Sequence, residues 1–332
     1  MTPARSKKQS QILIEELTKR SRKGLEFAKK TILAEKIEHE KLREALTYYI
    51  SNWNDFAHPG FFSIAHEAVG GDSGATVQVQ AALAMVAAAF DLHDDIIDNS
   101  ELKHGIPTVF GKFGKDITIL LGNAFLIEGV SLLDKSSERL SQEKRREVLE
   151  TLKKSLFEVG NAHALELSLK GRFDVAPEEC LRVLSMKAAS FEADMSLGAI
   201  IGGGTIKEIA VLTRYGRILG ILATLREELV DVFEIEELNQ RIVSEYLPVP
   251  VLYAMQNKNT KKKVQKMFAG RKIKRKDVDE LVNLVFKATD VIRLKKRMKE
   301  FVDESVQIVS ELENLKLKTQ LESLTSTFLE EL

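Results

Sequence analysis

The chain has 332 residues, 44% of them hydrophobic, and 49 Lys+Arg balance 49 Asp+Glu to a formal net charge of zero. That hydrophobic share can bury a large core, and the neutral balance gives no case for nucleic acid as a partner. Cys180 is the single cysteine, which excludes an intrachain disulfide and a thiolate metal site. The polar, basic start from Met1 to Lys8 lacks the apolar run of a signal peptide, and no apolar stretch stays uncharged for the roughly 18 residues of a spanning helix. A soluble, cytoplasmic protein is therefore expected.

Six prolines (Pro3, Pro59, Pro107, Pro177, Pro248 and Pro250) separate long stretches rich in Leu, Ala, Glu, Lys and Ile, and strand signals are weak, so the chain reads as almost all α. Residues 8–52 place Ile12, Ile14, Leu17 and Leu25 at helical spacing among charges, which predicts one or two outer amphipathic helices. Trp53, Phe56, His58, Pro59 and Gly60 then predict a loop. From Thr76 to Asp98 almost no polar face remains, the pattern of a buried helix. Met186–Ile201 and Ile218–Val232 repeat it, the former less purely. Gly202-Gly203-Gly204 reads as a helix stop. Residues 256–332 return to charged, amphipathic helices. With no repeat or linker, residues 1–332 are expected to form one domain.

The buried helix ends in acids. Asp91, Asp94, Asp95 and Asp98 fall on one face, repel one another, and stand near the negative helix pole. A cation would offset these penalties, and oxygen-rich clusters of this kind suit magnesium together with substrate phosphates; a solvated helix end is the plainer alternative. Glu227, Glu228 and Asp231 repeat the spacing of Asp94, Asp95 and Asp98 at the end of the other buried helix. There Arg226 and Glu234 also allow an ordinary charged face. His93 could tune the first cluster or simply pack. Glu101 and His104 form one Glu-x-x-His pair, where a di-iron bundle needs two. The run Lys261, Lys262, Lys263, Lys266, Arg271, Lys272, Lys274, Arg275 and Lys276 is a solvated face, a membrane-surface patch or a partner-binding face.

Several segments in order resemble the trans-isoprenyl diphosphate synthases over residues 53–255. They are Asp94-Asp95-Ile96-Ile97-Asp98, Gly105-Ile106-Pro107-Thr108, Gly122-Asn123-Ala124-Phe125-Leu126, Lys187-Ala188-Ala189-Ser190-Phe191-Glu192 with Leu197-Gly198-Ala199, Tyr215-Gly216-Arg217 leading to Glu227-Glu228-Leu229-Val230-Asp231, and Leu247-Pro248-Val249-Pro250. The resemblance implies an all-α bundle around a deep central cavity, the isoprenoid synthase type I fold, usually homodimeric. It implies Mg2+ held by Asp94, Asp95, Asp98, Glu227, Glu228 and Asp231. It implies an allylic prenyl diphosphate that ionises and condenses with isopentenyl diphosphate. Asp94, Asp95, Asp98 and Lys187 would carry the catalysis, and Lys103, His104, Lys187, Phe90, Ala89 and Thr224 would contact substrate. Phe90 and Ala89 precede the first Asp at positions that limit chain growth in the family, so a pocket lined also by Leu83, Val86 and Ala87 is expected to accept long chains.

The departures from the family fall on one side. Its isopentenyl-diphosphate segment, Gly-Gly-Lys-Arg-x-Arg-Pro, aligns with Trp53-Asn54-Asp55-Phe56-Ala57-His58-Pro59. Asp55 and Phe56 thus stand for a Lys and an Arg, Ala87 for a His, and His104 for an Arg. The allylic side keeps its three Asp, Lys187, and Lys103 in place of an Arg; Thr224 stands for a Gln, and a later Lys has no counterpart near Ser244. The expected protein is a prenyl diphosphate synthase. The alternatives are a terpene-synthase-like enzyme acting on an allylic diphosphate alone, and a non-catalytic subunit paired with a related synthase.

Overall fold

The structure, a computed structural model, describes residues 3–72, 76–103, 105–172, 174–244, 246–268, 273–313 and 315–327. The helices are α1 Pro3–Ala34, α2 Glu40–Asn52, α3 Ala57–Ala68, α4 Val77–Ile97, α5 Val109–Phe113, α6 Lys115–Ser136, α7 Gln142–Leu169, α8 Pro177–Lys187, α9 Ala189–Ile201, α10 Ile206–Asp231, α11 Ile235–Ser244, α12 Val249–Ala254, α13 Lys258–Phe268, α14 Arg275–Phe286, α15 Thr289–Val309 and α16 Leu315–Thr327. A two-stranded antiparallel hairpin, β1 Leu102–Lys103 and β2 Ile106–Pro107, interrupts them after α4. The all-α expectation holds, with this hairpin as the exception. It turns at Gly105, which has a positive φ that favours glycine.

Two further boundaries differ from those expected. His58, Pro59 and Gly60 lie in the first turn of α3, not in a loop. Proline is tolerated there because the first N–H groups of a helix have no internal partner. The segment Met186–Ile201 is two helices that break at Ala188, whose backbone lies against Gly220 of α10. The glycine run after α9 ends it as expected, with Gly203 at φ 83° and the Gly204 N–H bonded to the Ala199 carbonyl.

The described residues divide into two compact units. The first comprises Lys8–Lys154 and Ala193–Thr213. Its center is α4, where Ala81, Ala82, Ala84, Met85, Ala89 and Leu92 are buried. Gly129 lets α6 approach closely, for a Cβ there would press on the Ala82 carbonyl, Val86 and Met85. The outward face of α6 is apolar: Leu120 is 54% and Ile127 71% exposed. Among the described residues, α6 is the one helix long and apolar enough to cross a membrane by length and composition alone.

The second unit takes in Ser155–Glu192 and Arg214–Leu332 with the start of α1. Arg217 ties its helices together. It reaches Glu192 at 2.5 Å, Glu158 at 2.7 Å and the Ser185 carbonyl at 2.7 Å, joining α7, α8, α9 and α10. The buried Tyr215 hydroxyl donates to the Leu321 carbonyl of α16 at 2.8 Å.

Gly198 gives a sharp packing test. In the first unit it sets α9 against α3 so closely that a Cβ would collide with the Phe62 carbonyl and Ala65. Gly198→Leu is expected to destabilise the protein by about 1–3 kcal/mol through overpacking, read as a lower denaturant midpoint at unchanged slope.

Candidate active site

The apolar run of α4 delivers its acids to one end of the first unit. Asp95 is buried, Asp94 and Asp98 are half-buried, and Asp91 is exposed. Asn99 follows in the left-handed region at φ 57°, which Asn tolerates better than most residues, and the Ser100 N–H returns to the Asp95 carbonyl. The turn leads into the hairpin, which is pinned twice. The Tyr48 hydroxyl donates to the Pro107 carbonyl at 2.6 Å, and the Thr108 hydroxyl donates to the Ser100 carbonyl at 2.7 Å.

So held, the hairpin lays Lys103 back over α4. Its Nζ donates to Asp91 at 2.7 Å and stands 2.8 Å from Asp95 Oδ1. Burial pushes the Asp95 carboxyl up to about 6; Lys103 opposes this, while Asp91 and Asp94 add to it. Burial alone would lower the Lys103 ammonium, but Asp91 and Asp95 outweigh it and hold it firmly charged. Tyr49 hydrogen-bonds Asp91, and burial with the nearby carboxylates raises its phenol.

The helix separates the two residues expected to limit chain length. Ala87 and Phe90 are half-buried and share the face of Asp94 and Asp98. Ala89 is fully buried and lies about 140° around the helix from Asp94. It shares a face with Ala82 and Met85, the side packed on α6. His93 also faces α6, against Gly122 and bonded to the Asn123 side chain, and burial lowers its pKa. Its role in the fold is therefore packing.

The acceptor-side segment is acidic and largely enclosed. Asp55 Oδ1 accepts from the Ala57 N–H at 3.0 Å, while its buried Oδ2 has no hydrogen-bond partner. His58 Nδ1 donates to Asp194 at 2.6 Å. Burial would lower His58, yet Asp194 and Asp55 raise it to about 9. His58 stands at the last basic position of the aligned segment, but its proton is committed to Asp194. The sequence signalled neither Asp194 nor this pairing, which joins residues 136 apart.

The second triplet ends α10, in the second unit. Glu228 is buried and Glu227 is exposed. Although the Glu227 side chain reaches solvent, poor hydration around its carboxylate and the neighbouring Glu228 raise its pKa. Arg241 of α11 bonds both other acids: Nη1 to Glu228 at 2.9 Å and Nη2 to Asp231 at 2.5 Å. Lys187 pairs with Glu166 at 2.5 Å and lies in the field of Glu227. Thr224 donates its hydroxyl to the Gly220 carbonyl of its own helix at 2.9 Å. His104 lies outside the described residues, as do Arg271 and Lys272 of the basic run. Arg241 and Glu166 escaped sequence reading; the one signal was a lone Arg three residues after Leu238, on the buried face of α11.

Residues 39–285 match the family described as Polyprenyl synthetase. The short chain isoprenyl diphosphate synthase of Methanothermobacter thermautotrophicus is 31% identical over 202 residues, 60% of this chain and 61% of that protein. The geranylgeranyl diphosphate synthase of Sulfolobus acidocaldarius is 26% identical over 191 residues, 57% of this chain and 58% of that protein. The matched segment thus spans about three fifths of these curated relatives. The crystal structure of geranylgeranyl pyrophosphate synthetase from Pyrococcus horikoshii superposes with a TM-score of 0.83, covering 97% of this chain and 99% of that one at 23% identity. The fold is accordingly the all-α fold of the isoprenyl diphosphate synthases.

The His58–Asp194 pair carries a pH signature. The folded pKa of about 9 lies above the ordinary His value of 6.5, so the stabilisation is complete below pH 6.5 and is lost as pH rises through 9. Burial raises the Asp194 carboxyl despite His58, so the protonated histidine sets the window. Unfolding free energy should fall by at most about 1.4 kcal/mol per pH unit across that window. Asp194→Asn should flatten the fall in urea titrations at successive pH values. Equal slopes in the two proteins would show that His58 is not held charged.

Proposed function

The chain belongs to the polyprenyl synthetase family, and from that premise we propose that it is a magnesium-dependent prenyltransferase, moving the prenyl group of an allylic diphosphate onto isopentenyl diphosphate. The observation that carries this reading is the acid face of α4: Asp94, Asp95 and Asp98 emerge from an apolar helix, partly withdrawn from water, with Lys103 beside them. Among the described residues no three His, Cys, Asp or Glu side chains form a ready metal cage. That fits magnesium, which commonly takes one or two carboxylates and completes its shell with water and substrate phosphates. Bound at Asp94, Asp95 and Asp98, it would neutralise the leaving diphosphate.

The chain's own residues divide the remaining work. Lys103 can pass from Asp91 and Asp95 to a phosphate oxygen, adding a fixed positive charge. Phe90 and Ala87, on the acid face, offer an apolar wall to the allylic chain beside its diphosphate and keep water from a developing cation. Phe90 rather than Ala89 is therefore the residue placed to limit chain length.

We further propose a homodimer, or a heteromer with a related synthase, built on α6. Leu120, Ala124 and Ile127 run along its outward face at helical spacing, an apolar stripe suited to a second subunit. The exposed Lys262, Lys263 and Lys266 of α13 suit an anionic membrane surface, where an oily product would partition.

Calorimetry with a non-reactive allylic thiolodiphosphate tests the metal site. Asp94→Ala with Asp98→Ala should abolish magnesium-dependent binding at an unchanged circular-dichroism spectrum; undiminished binding would refute the site. In the same experiment isopentenyl diphosphate should bind weakly to the wild type. Two or three lost charge-assisted hydrogen bonds, at roughly 1.5–3 kcal/mol each, amount to several decades of affinity. Micromolar binding would mean that other cations serve the acceptor.

For the subunit contact, Ile127→Glu should convert the dimer to monomers in light scattering. An unchanged mass would place the interface elsewhere.

A further inference from the structure

The geometry points to an internal cation, Arg241, closing the second acidic triplet, so that Glu228 and Asp231 do not serve as metal ligands and Glu227 alone of the three remains open to one. The inference rests on the reading that Asp94, Asp95 and Asp98 hold the divalent ion.

Each oxygen acceptor on Glu228 is engaged within the second unit. Oε1 takes the Arg241 Nη1 bond at 2.9 Å, and Oε2 accepts the backbone N–H of Val249 at 2.7 Å. The same guanidinium gives Nη2 to Asp231 Oδ2 at 2.5 Å, spanning successive turns of α10. Glu228 is 3% and Arg241 9% exposed, so water compensates neither. The Tyr246 ring lies 5.8 Å from the guanidinium and borders it.

This is the geometry a planar fork provides and a spherical ion does not, with two carboxylates bridged by parallel N–H donors of one group. A divalent ion taking Glu228 and Asp231 would have to displace Arg241. The guanidinium cannot lose its proton, and it would remain buried without its counter-ions. The Val249 N–H would lose its acceptor as well. Glu227 differs: it is exposed, and Arg241, Lys187 and Arg226 act on it only through their field. Arg241 is thus a positioning residue, fixing the end of α10 to α11 and to the start of α12 while it neutralises two of the three acids.

Titrating the full chain with Mn2+, with free ion followed by electron paramagnetic resonance, tests the inference. Arg241→Gln, which frees Glu228 and Asp231, should bind one more equivalent of Mn2+ than the wild type. The triple variant Arg241→Gln, Glu228→Gln, Asp231→Asn should return to the wild-type stoichiometry, with a midpoint within twofold. No added equivalent in folded Arg241→Gln would overturn the proposal, and so would loss of an equivalent in the triple variant. Should Arg241→Gln not fold, the triple variant decides alone, because its neutral side chains leave no stranded charge. In every background, with Arg241→Gln keeping only its added equivalent, Asp94→Asn with Asp98→Asn should lose the equivalent of Mn2+ that the wild type binds. Its retention there would refute the reading of the first triplet and leave the fate of the second to be judged by the other variants.

Discussion

A carboxylate carried on a buried helix needs a positive partner, and that requirement organises both units. Desolvation penalises the charge heavily, while a well-placed cation or backbone N–H repays it only with good geometry. The first unit answers with Lys103 over Asp91 and Asp95, and with His58 against Asp194. The second answers with Arg217 between Glu158 and Glu192, Lys187 on Glu166, and Arg241 across Glu228 and Asp231. Neutral overall charge, read from composition, conceals this local pairing.

The pairing also sorts acids by availability. Asp94 and Asp98 share a half-buried face with Phe90 and Ala87, so charge and apolar surface meet on one side of one helix. Glu227 stands exposed beside two acids already bonded to Arg241. Equal spacing in sequence therefore conceals two chemical situations, distinguished by what each helix end meets in space. Asp55 is a third, a largely enclosed carboxylate with one oxygen lacking a partner.

Much of the fold was legible in the sequence because it is written in local periodicity. The apolar runs of α4 and α10, the stop at Gly202–Gly204 and the amphipathic outer helices all follow from 3.6-residue patterning and glycine chemistry. The ordered segments, which run over residues 53–255, pointed to the family, whose match extends over residues 39–285. What escaped was tertiary. The break at Ala188 leaves no proline or glycine marker. Which side of α4 meets α6, and so buries Ala89 while Phe90 stays on the acid face, is set by tertiary packing. Arg241 reaches acids 10 and 13 residues away, and Asp194 reaches His58 across 136, distances no short window spans.

The hairpin that carries Lys103 has a consequence for how the acid face responds to ions. An ammonium on a short, doubly pinned tether has an effective concentration at Asp95 set by the loop and not by the solution; for short tethers this reaches the millimolar range. Any divalent ion approaching Asp95 competes with that resident charge, and its apparent affinity falls by the fraction of time the lysine is in place. Shortening Lys103, or loosening the Tyr48 and Thr108 contacts that hold its strand, would retune the ion concentration at which the face fills without altering a single carboxylate.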